Sequence, residues 1–425
     1  LEFNKVCALL MQKCRTDAAR DRVANIRIHT HKDHALRDLQ QAQEFKNILL
    51  SGDHFPNDFT RNIHKELKLL SIPGGVLSGE QLLSVQQLAF TIRDILLWFK
   101  KNNDLFPVLR ALSDKVVYEK KITDTIGAVI DETGNVRDNA SKELMSIRAD
   151  LSRARSEVRR VFESVLRKLS KAGYLADIGE SFLNGRRTAA VLAEYKRIVK
   201  GILHGESDTQ KTVFIEPEET TELNNEIFSL ERAEGREIQR ILAQVTKDLS
   251  VWAQHLEGYY HICGIYDFIR ARALLAVDMN ANLPILTPHP GLRLEKAYHP
   301  LLYLHNKQAG KPTIPLNLQL DRQQRILIIS GPNAGGKTVS MKTVGLLQLM
   351  VQAGLLIPVS ENSEMGIFKQ VMVQIGDTQS IEHELSTYSA HLQHMKHFMS
   401  FADGKTLFFI DELGSGSDPN LGGAF

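Results

Sequence analysis

Between residues 108 and 283 the chain has a single proline, Pro217, although the whole sequence contains 13. A proline inside a helix removes a backbone donor and clashes with the preceding turn, at a cost of about 3 kcal/mol. The middle of the chain is therefore free to form very long helices. Six prolines then crowd into 284–315: Pro284, Pro288, Pro290, Pro300, Pro312 and Pro315. That crowding marks a boundary and a non-helical entry into another domain.

The apolar pattern agrees. Leu144, Ile147, Leu151, Ala154, Val158, Val161, Val165 and Leu169 recur every three or four residues and predict a helix over about 139–172, with Asp138 or Asn139 as its N-cap. Its length would be roughly 50 Å at 1.5 Å per residue. A second stripe, including Leu223, Ile227, Leu230, Ile238, Ile241, Val245, Leu249, Trp252 and Leu256, predicts a helix over about 220–275. Two such helices would pack as an antiparallel arm. Between them Thr188–Leu192, Ile198–Leu203 and Thr212–Ile215 are β-prone, and His204–Asp208 signals a turn. A small β-module at the tip of the arm is expected. Residues 1–115 predict amphipathic helices, with loops at Ser51–Pro56 and Ile72–Gly79.

With 425 residues, 43% hydrophobic and 24% charged, the composition excludes a disordered tail or a collagen. No apolar run approaches the roughly 18 residues of a membrane span, so no membrane partner is expected. Cys7, Cys14 and Cys263 make an odd set without metal spacing, which points to a reducing cytoplasm. The chain starts at Leu1 without a charged-then-apolar leader and stops at Phe425 after a glycine-rich run, so a fragment is expected.

The formal charge is only +2, so any nucleic-acid binding must come from a local patch. Residues 142–171 carry nine bases against four acids, and the β-module adds Arg186, Arg187, Lys196, Arg197, Lys200 and Lys211. The returning helix opens acidic, with Glu216, Glu218, Glu219, Glu222 and Glu226. Two readings stand: solvated faces paired between the helices, or a tip that touches phosphates. Arg186, Arg187, Lys196, Arg197 and Lys200 are the candidate contacts.

Residues 326–338 read Ile-Leu-Ile-Ile-Ser-Gly-Pro-Asn-Ala-Gly-Gly-Lys-Thr. Ile326–Ile329 predicts a buried parallel strand, and Gly331–Thr338 fills every position of GxxxxGK[ST] before a helix that starts at Val339. Glycines let backbone N–H groups turn toward phosphate oxygens, and the helix start adds partial positive charge. The expected ATP-binding residues are Gly331, Pro332, Asn333, Ala334, Gly335, Gly336, Lys337, Thr338 and Val339. Lys337 would reach the β/γ-phosphates, and Thr338 would ligate Mg²⁺. A second apolar strand, Thr406–Ile410, ends in Asp411–Glu412. Asp411 would complete the metal site and Glu412 would polarise the attacking water, so Lys337, Asp411 and Glu412 are the expected catalytic residues. Ser386 or Thr387 opens a further helix whose start could face phosphate. His383, His391, His394 and His397 lack a completing ligand set and read as surface residues.

GPNAGGKT, the segment Glu384–Tyr388 and FFIDELGSGSDP at Phe408–Pro419 together resemble the MutS family of ATPases, within the ABC-type P-loop class. Val339–Lys342, Val213–Glu218, Leu223–Glu226 and Gly134–Ser141 resemble its type-two bacterial branch. The resemblance implies a helical core domain over 1–136. It implies lever helices over 137–275 with a β clamp at about 184–216, and an α/β P-loop ATPase domain over 276–425, incomplete at its C-terminus. It places Ile314 near adenine and Ser386 across a homodimer interface. It implies ATP hydrolysis on Mg²⁺ by a homodimeric clamp acting on branched DNA or recombination intermediates. The alternative partner is the collided ribosome. The family's mismatch-reading Phe-x-Glu matches only Phe214–Glu216 here, inside a different motif, so mismatch recognition does not carry over. A chromosome-maintenance arm protein is disfavoured, because both long helices precede the P-loop. A nuclease is expected only from a further C-terminal domain.

Overall fold

The computed structural model describes residues 1–102, 105–183, 185–332, 335–375, 393 and 395–411. In chain order the first helices are α1 (Phe3–Lys13), α2 (Asp17–Ala24), α3 (Lys32–Ser51), α4 (His64–Ser71), α5 (Gly79–Lys101), α6 (Pro107–Arg110), α7 (Lys120–Val129) and α8 (Lys142–Lys171). Strands β1 (Leu175–Leu183), β2 (Arg186–Leu192), β3 (Gly201–Glu206) and β4 (Thr212–Pro217) follow. Next come α9 (Glu218–Ser250), α10 (Ala253–Asp278), β5 (Ile285–Leu286), β6 (Leu292–Ala297), α11 (Pro300–Gln308) and β7 (Leu316–Leu320). The rest are α12 (Lys337–Gln352), β8 (Glu364–Met365), β9 (Gln370–Gln374) and β10 (Thr406–Ile410).

The protein is mostly helical with small sheets, as a multidomain helical reading requires. Its contacts divide it into two compact units, which cut the chain differently from three consecutive segments. One unit holds Leu1–Asn62, Phe90–Tyr118 and the chain from Gly258, and the other holds Ile63–Ala89 and Glu119–Glu257.

In the second unit α8 and α9 run antiparallel. Ser141, Arg148 and Arg155 on the way out meet Glu237, Glu234 and Glu231 on the way back. Much of the basic stripe on α8 is thus paired across the two helices. Leu144, Leu151, Ala154, Val158, Phe162 and Val165 form the buried face of α8. The helix starts later than expected. Asp138–Ala140 is a 3₁₀ turn, and Ser141 is the N-cap, its hydroxyl accepting the Leu144 N–H at 2.9 Å. It ends where Gly173 takes φ 74°, which lets the Tyr174 N–H reach back to the Leu169 carbonyl.

The second expected helix is interrupted. α9 closes at Ser250 and α10 opens at Ala253, the Trp252 N–H turning back to the Leu249 carbonyl at 2.9 Å. The apolar stripe continues through this break, because a single turn preserves side-chain direction closely enough to keep Leu249 and Leu256 buried.

The tip module is one antiparallel sheet ordered β1-β2-β4-β3. Ala189, Val191, Val213 and Ile215 pack with Phe162 of α8. Strand β1 is not legible in the sequence. It carries an irregularity between Leu175 and Glu180, Gly179 sits at φ 68°, and Ile178 and Phe182 are exposed. Those features erase the alternation a strand is recognised by.

In the first unit, Val6 and Leu10 of α1, Leu39 of α3, Leu275 of α10 and Leu346, Leu347 and Met350 of α12 share one core with Leu407 and Phe409 of β10. Four strands form a sheet ordered β5-β8-β6-β7, and β10 pairs β9 in parallel. A second cluster joins Phe45, Phe55, Trp98, Phe99, Phe106 and Tyr266 through ring contacts of 5.0–5.9 Å. Asp267 is buried beneath the start of α2, where its carboxylate accepts the N–H groups of Arg15 and Thr16 and the Thr16 hydroxyl. Cys14 and Cys263 are buried and Cys7 is half-buried, all three as free thiols. Burial pushes the Cys14 thiol up to about 12, which leaves it inert.

Helix α5 corrects one expectation. It is long and apolar enough by composition to cross a membrane, although no uninterrupted apolar run marks it. Its buried positions Leu82, Val85, Leu88, Ala89, Ile92, Ile95 and Phe99 recur at helical spacing between polar residues, the pattern of a core helix.

Candidate nucleotide site and nucleic-acid surface

The glycine-rich loop leads directly into α12. Gly336 is the N-cap at φ 82°, a left-handed conformation that glycine adopts without strain. The first intrahelical bond runs from the Ser340 N–H to the Gly336 carbonyl. The amides at the helix start ahead of it have no acceptor within the helix and form a ready anion cradle. The Gly335 N–H bonds the Pro332 carbonyl at 2.9 Å and tightens the turn. The Lys337 ammonium donates to the Gly331 carbonyl at 2.6 Å, folding back over the loop. Val339 is exposed at the first turn of α12, and Ile314 is 90% exposed on the segment before β7.

Opposite the loop, β10 delivers Asp411. The Thr338 hydroxyl donates to Asp411 Oδ2 at 2.8 Å across 73 residues of sequence. The Asp411 N–H bonds the Gln374 carbonyl at the end of β9, which fixes the turn that presents the carboxylate. A hydroxyl and a carboxylate in contact form a hard oxygen donor pair, the kind Mg²⁺ takes. Asn333, Ala334, Glu412 and Ser386 lie outside the described residues, as do His383, His391 and His394.

Residues 326–329 differ from the expected buried strand. They join no ladder with the described strands, and Ile326 and Ile328 are 84% and 85% exposed. An apolar strand is buried only when neighbours cover it, and β10 is paired among the described strands with β9 alone.

In the tip module the candidate basic residues separate into two groups. Arg186 is not directed to solvent. Its guanidinium contacts both carboxylate oxygens of the fully buried Glu216 at 2.8 Å and also donates to Asn225. His204 and Asn224 complete the ring around Glu216 at 2.7 and 2.9 Å. Burial alone would raise the Glu216 carboxyl, but hydrogen bonds from Arg186, Asn224 and His204 outweigh it and hold the group below its ordinary value. Arg187 lies 5.5 Å over the Phe162 ring and 3.6 Å from Glu180. Lys196 reaches Glu206 at 3.6 Å. Arg197 and Lys200 are exposed, with no acidic partner within 4.0 Å among the described residues, and the same holds for Arg167, Lys168, Lys171 and Lys211. Arg186 is thus a correction to the expected phosphate-contacting set. The signal against it is Glu216, an acid in a strand otherwise apolar, but only pairing of β2 with β4 shows that the two meet.

The architecture is that of a multidomain protein of the MutS type, and residues 327–424 match the family described as MutS domain V. Along its whole length the chain is 33% identical to a protein named Endonuclease MutS2 from Geobacillus sp. (strain WCH70) and covers 54% of it. It is 34% identical to an Endonuclease MutS2 of Listeria monocytogenes serovar 1/2a, again over 100% of this chain and 54% of the relative. An Endonuclease MutS2 of Clostridium beijerinckii is 34% identical, with 53% of its length covered. The chain belongs to the MutS family, among relatives of the MutS2 kind, and spans about half the length of those relatives.

Proposed function

We propose that this chain is the nucleotide-driven part of a MutS-type clamp that acts on branched DNA as a homodimer. The observation that carries the reading is the 2.8 Å contact between Thr338 and Asp411 at the mouth of the glycine loop. The loop, the start of α12 and Lys337 suit the phosphates of ATP, and Thr338 with Asp411 suits Mg²⁺. Bound there, Mg²⁺ would neutralise phosphate charge. Lys337 would exchange the Gly331 carbonyl for a phosphate oxygen, and the α12 amides would orient the group without reorganising. Glu412 follows Asp411 in sequence and is the proposed water-polarising group. Ser386 is the proposed contribution across the dimer interface. The antiparallel helices with a sheet at their tip suit a clamp that selects shape, since phosphate contacts position without reading sequence.

Titration with a fluorescent ATP analogue and Mg²⁺ tests the nucleotide site. Lys337→Ala should lose binding or turnover, and unchanged affinity together with unchanged turnover would overturn the assignment. Direct comparison of four-way junctions with collided disomes tests the partner. Preference for the disome would replace DNA with the ribosome.

A further inference from the structure

The segment His29-Thr30-His31-Lys32-Asp33-His34 enters helix α3 and lies outside the nucleotide site. The His29 and His34 ring centroids are 5.8 Å apart, and those of His31 and His34 are 6.0 Å apart. His29 is the anchored member. Its backbone N–H donates to the Gln352 carbonyl at 2.7 Å, and its carbonyl accepts from the Gln352 side chain at 2.8 Å. Its ring is held by Asp38, Nε2 to Oδ2 at 2.9 Å. A carboxylate only accepts, so Nε2 carries the proton and Nδ1 keeps a free lone pair. Asp38 is held in turn by the buried Arg272 guanidinium, 3.9 Å away. A carboxylate that fixes the tautomer and orientation of one imidazole is the supporting arrangement of metal-bound histidines.

We propose that His29, His31 and His34 form a binding site for a borderline divalent transition ion, Zn²⁺ in type, with Asp38 positioning His29. Imidazole donors select that class over Mg²⁺ or Ca²⁺. In the ion-free arrangement no three His, Cys, Asp or Glu groups among the described residues converge on one point. Closure is short. Three imidazoles on one tetrahedral ion, with Zn–N of ~2.0–2.1 Å, have ring centroids roughly 5 Å apart. The two measured pairs therefore approach by about 1 Å or less. His31 and His34 are exposed, so both rings are free to turn. Asp33 or a water supplies the fourth donor. Because His29 is tied at both backbone groups to Gln352, the last residue of α12, the ion would stiffen the end of the helix that begins at Lys337.

The test is titration of the untagged chain with Co²⁺, read by its ligand-field absorption, followed by displacement with Zn²⁺. One Co²⁺ per chain with tetrahedral character is expected, and the Zn²⁺ form should have a raised Tm. His31→Ala and His34→Gln, both exposed and expected to leave the fold intact by circular dichroism, should each abolish the signal. Asp38→Asn should weaken affinity by about 10–100-fold. His54→Ala, at an exposed pair with Asp58, should change nothing. No bound ion, or affinity and stoichiometry unchanged in both His31→Ala and His34→Gln, would overturn the site.

Discussion

Glu216 and Glu237 are both carboxylates on or beside the long helices, and each is held as an anion by its neighbours. Glu237 accepts from Arg240 and from the Ser141 hydroxyl, and these bonds lower its carboxyl from 4.5 to about 2. The folded value lies below the unfolded one, so its contribution to stability is complete above pH 4.5. It disappears as pH falls toward 2. Comparing thermal unfolding of the wild type and Glu237→Gln over that window should show the difference between them shrinking with acid. A constant difference would mean that the ionised form contributes nothing. For Glu216 the partner is the informative residue. Arg186→Glu would place two carboxylates together in a buried site and should destabilise the tip module by about 3–5 kcal/mol. Limited proteolysis of the module would report it, and wild-type resistance would show the pair to be dispensable.

Helix α8 carries its start signal in Ser141, three residues past Asp138 and two past Asn139, the caps that the sequence pattern favours. All three residue types cap well, and only the path of the chain decides between them. Asp138 instead sits in a 3₁₀ turn and pairs with Arg148. Ser141→Ala removes the bond to the Leu144 N–H and the one to Glu237. A destabilisation of about 1 kcal/mol is expected from the cap, somewhat more with the second bond, measured by denaturant midpoint. An unchanged midpoint would assign the helix start to Asp138 after all. The same element shows why the basic stripe is a poor guide to binding. Arg148 and Arg155 are committed to acids on α9.

At the scale of the whole molecule, 52 basic and 50 acidic residues leave almost no net field. Binding to a polyanion must then depend on a few uncommitted cations. Arg197 and Lys200 are the best placed of the candidates in the tip module. Arg197→Glu with Lys200→Glu should weaken junction DNA binding and lower the salt slope of log K by about 0.9 for each phosphate no longer neutralised. An unchanged slope would remove the tip from the interface. Unlike Arg186→Glu, this pair should leave the melting temperature nearly unaltered, since neither side chain has an ionic partner among the described residues.

The two long helices, the strands β2, β3 and β4, the glycine loop and the Asp411 strand end are all legible in the sequence. Each is encoded locally, by period, by the absence of proline or by residues adjacent in the chain. Strand β1 is not, because its irregularity breaks the period. The break at Val251–Trp252 is not, because the apolar stripe runs through it. The roles of Arg186, His29 and the apolar run 326–329 emerge only in three dimensions. Arg186 meets Glu216 through strand pairing, and His29 meets Gln352 across 323 residues. Ile326 and Ile328 are exposed because burial of a strand depends on its neighbours, which its own residues do not specify. Sequence determined which local shapes this chain can adopt. Tertiary structure decided which of its charges and apolar faces are already committed to one another, because that depends on contacts between residues far apart in the chain.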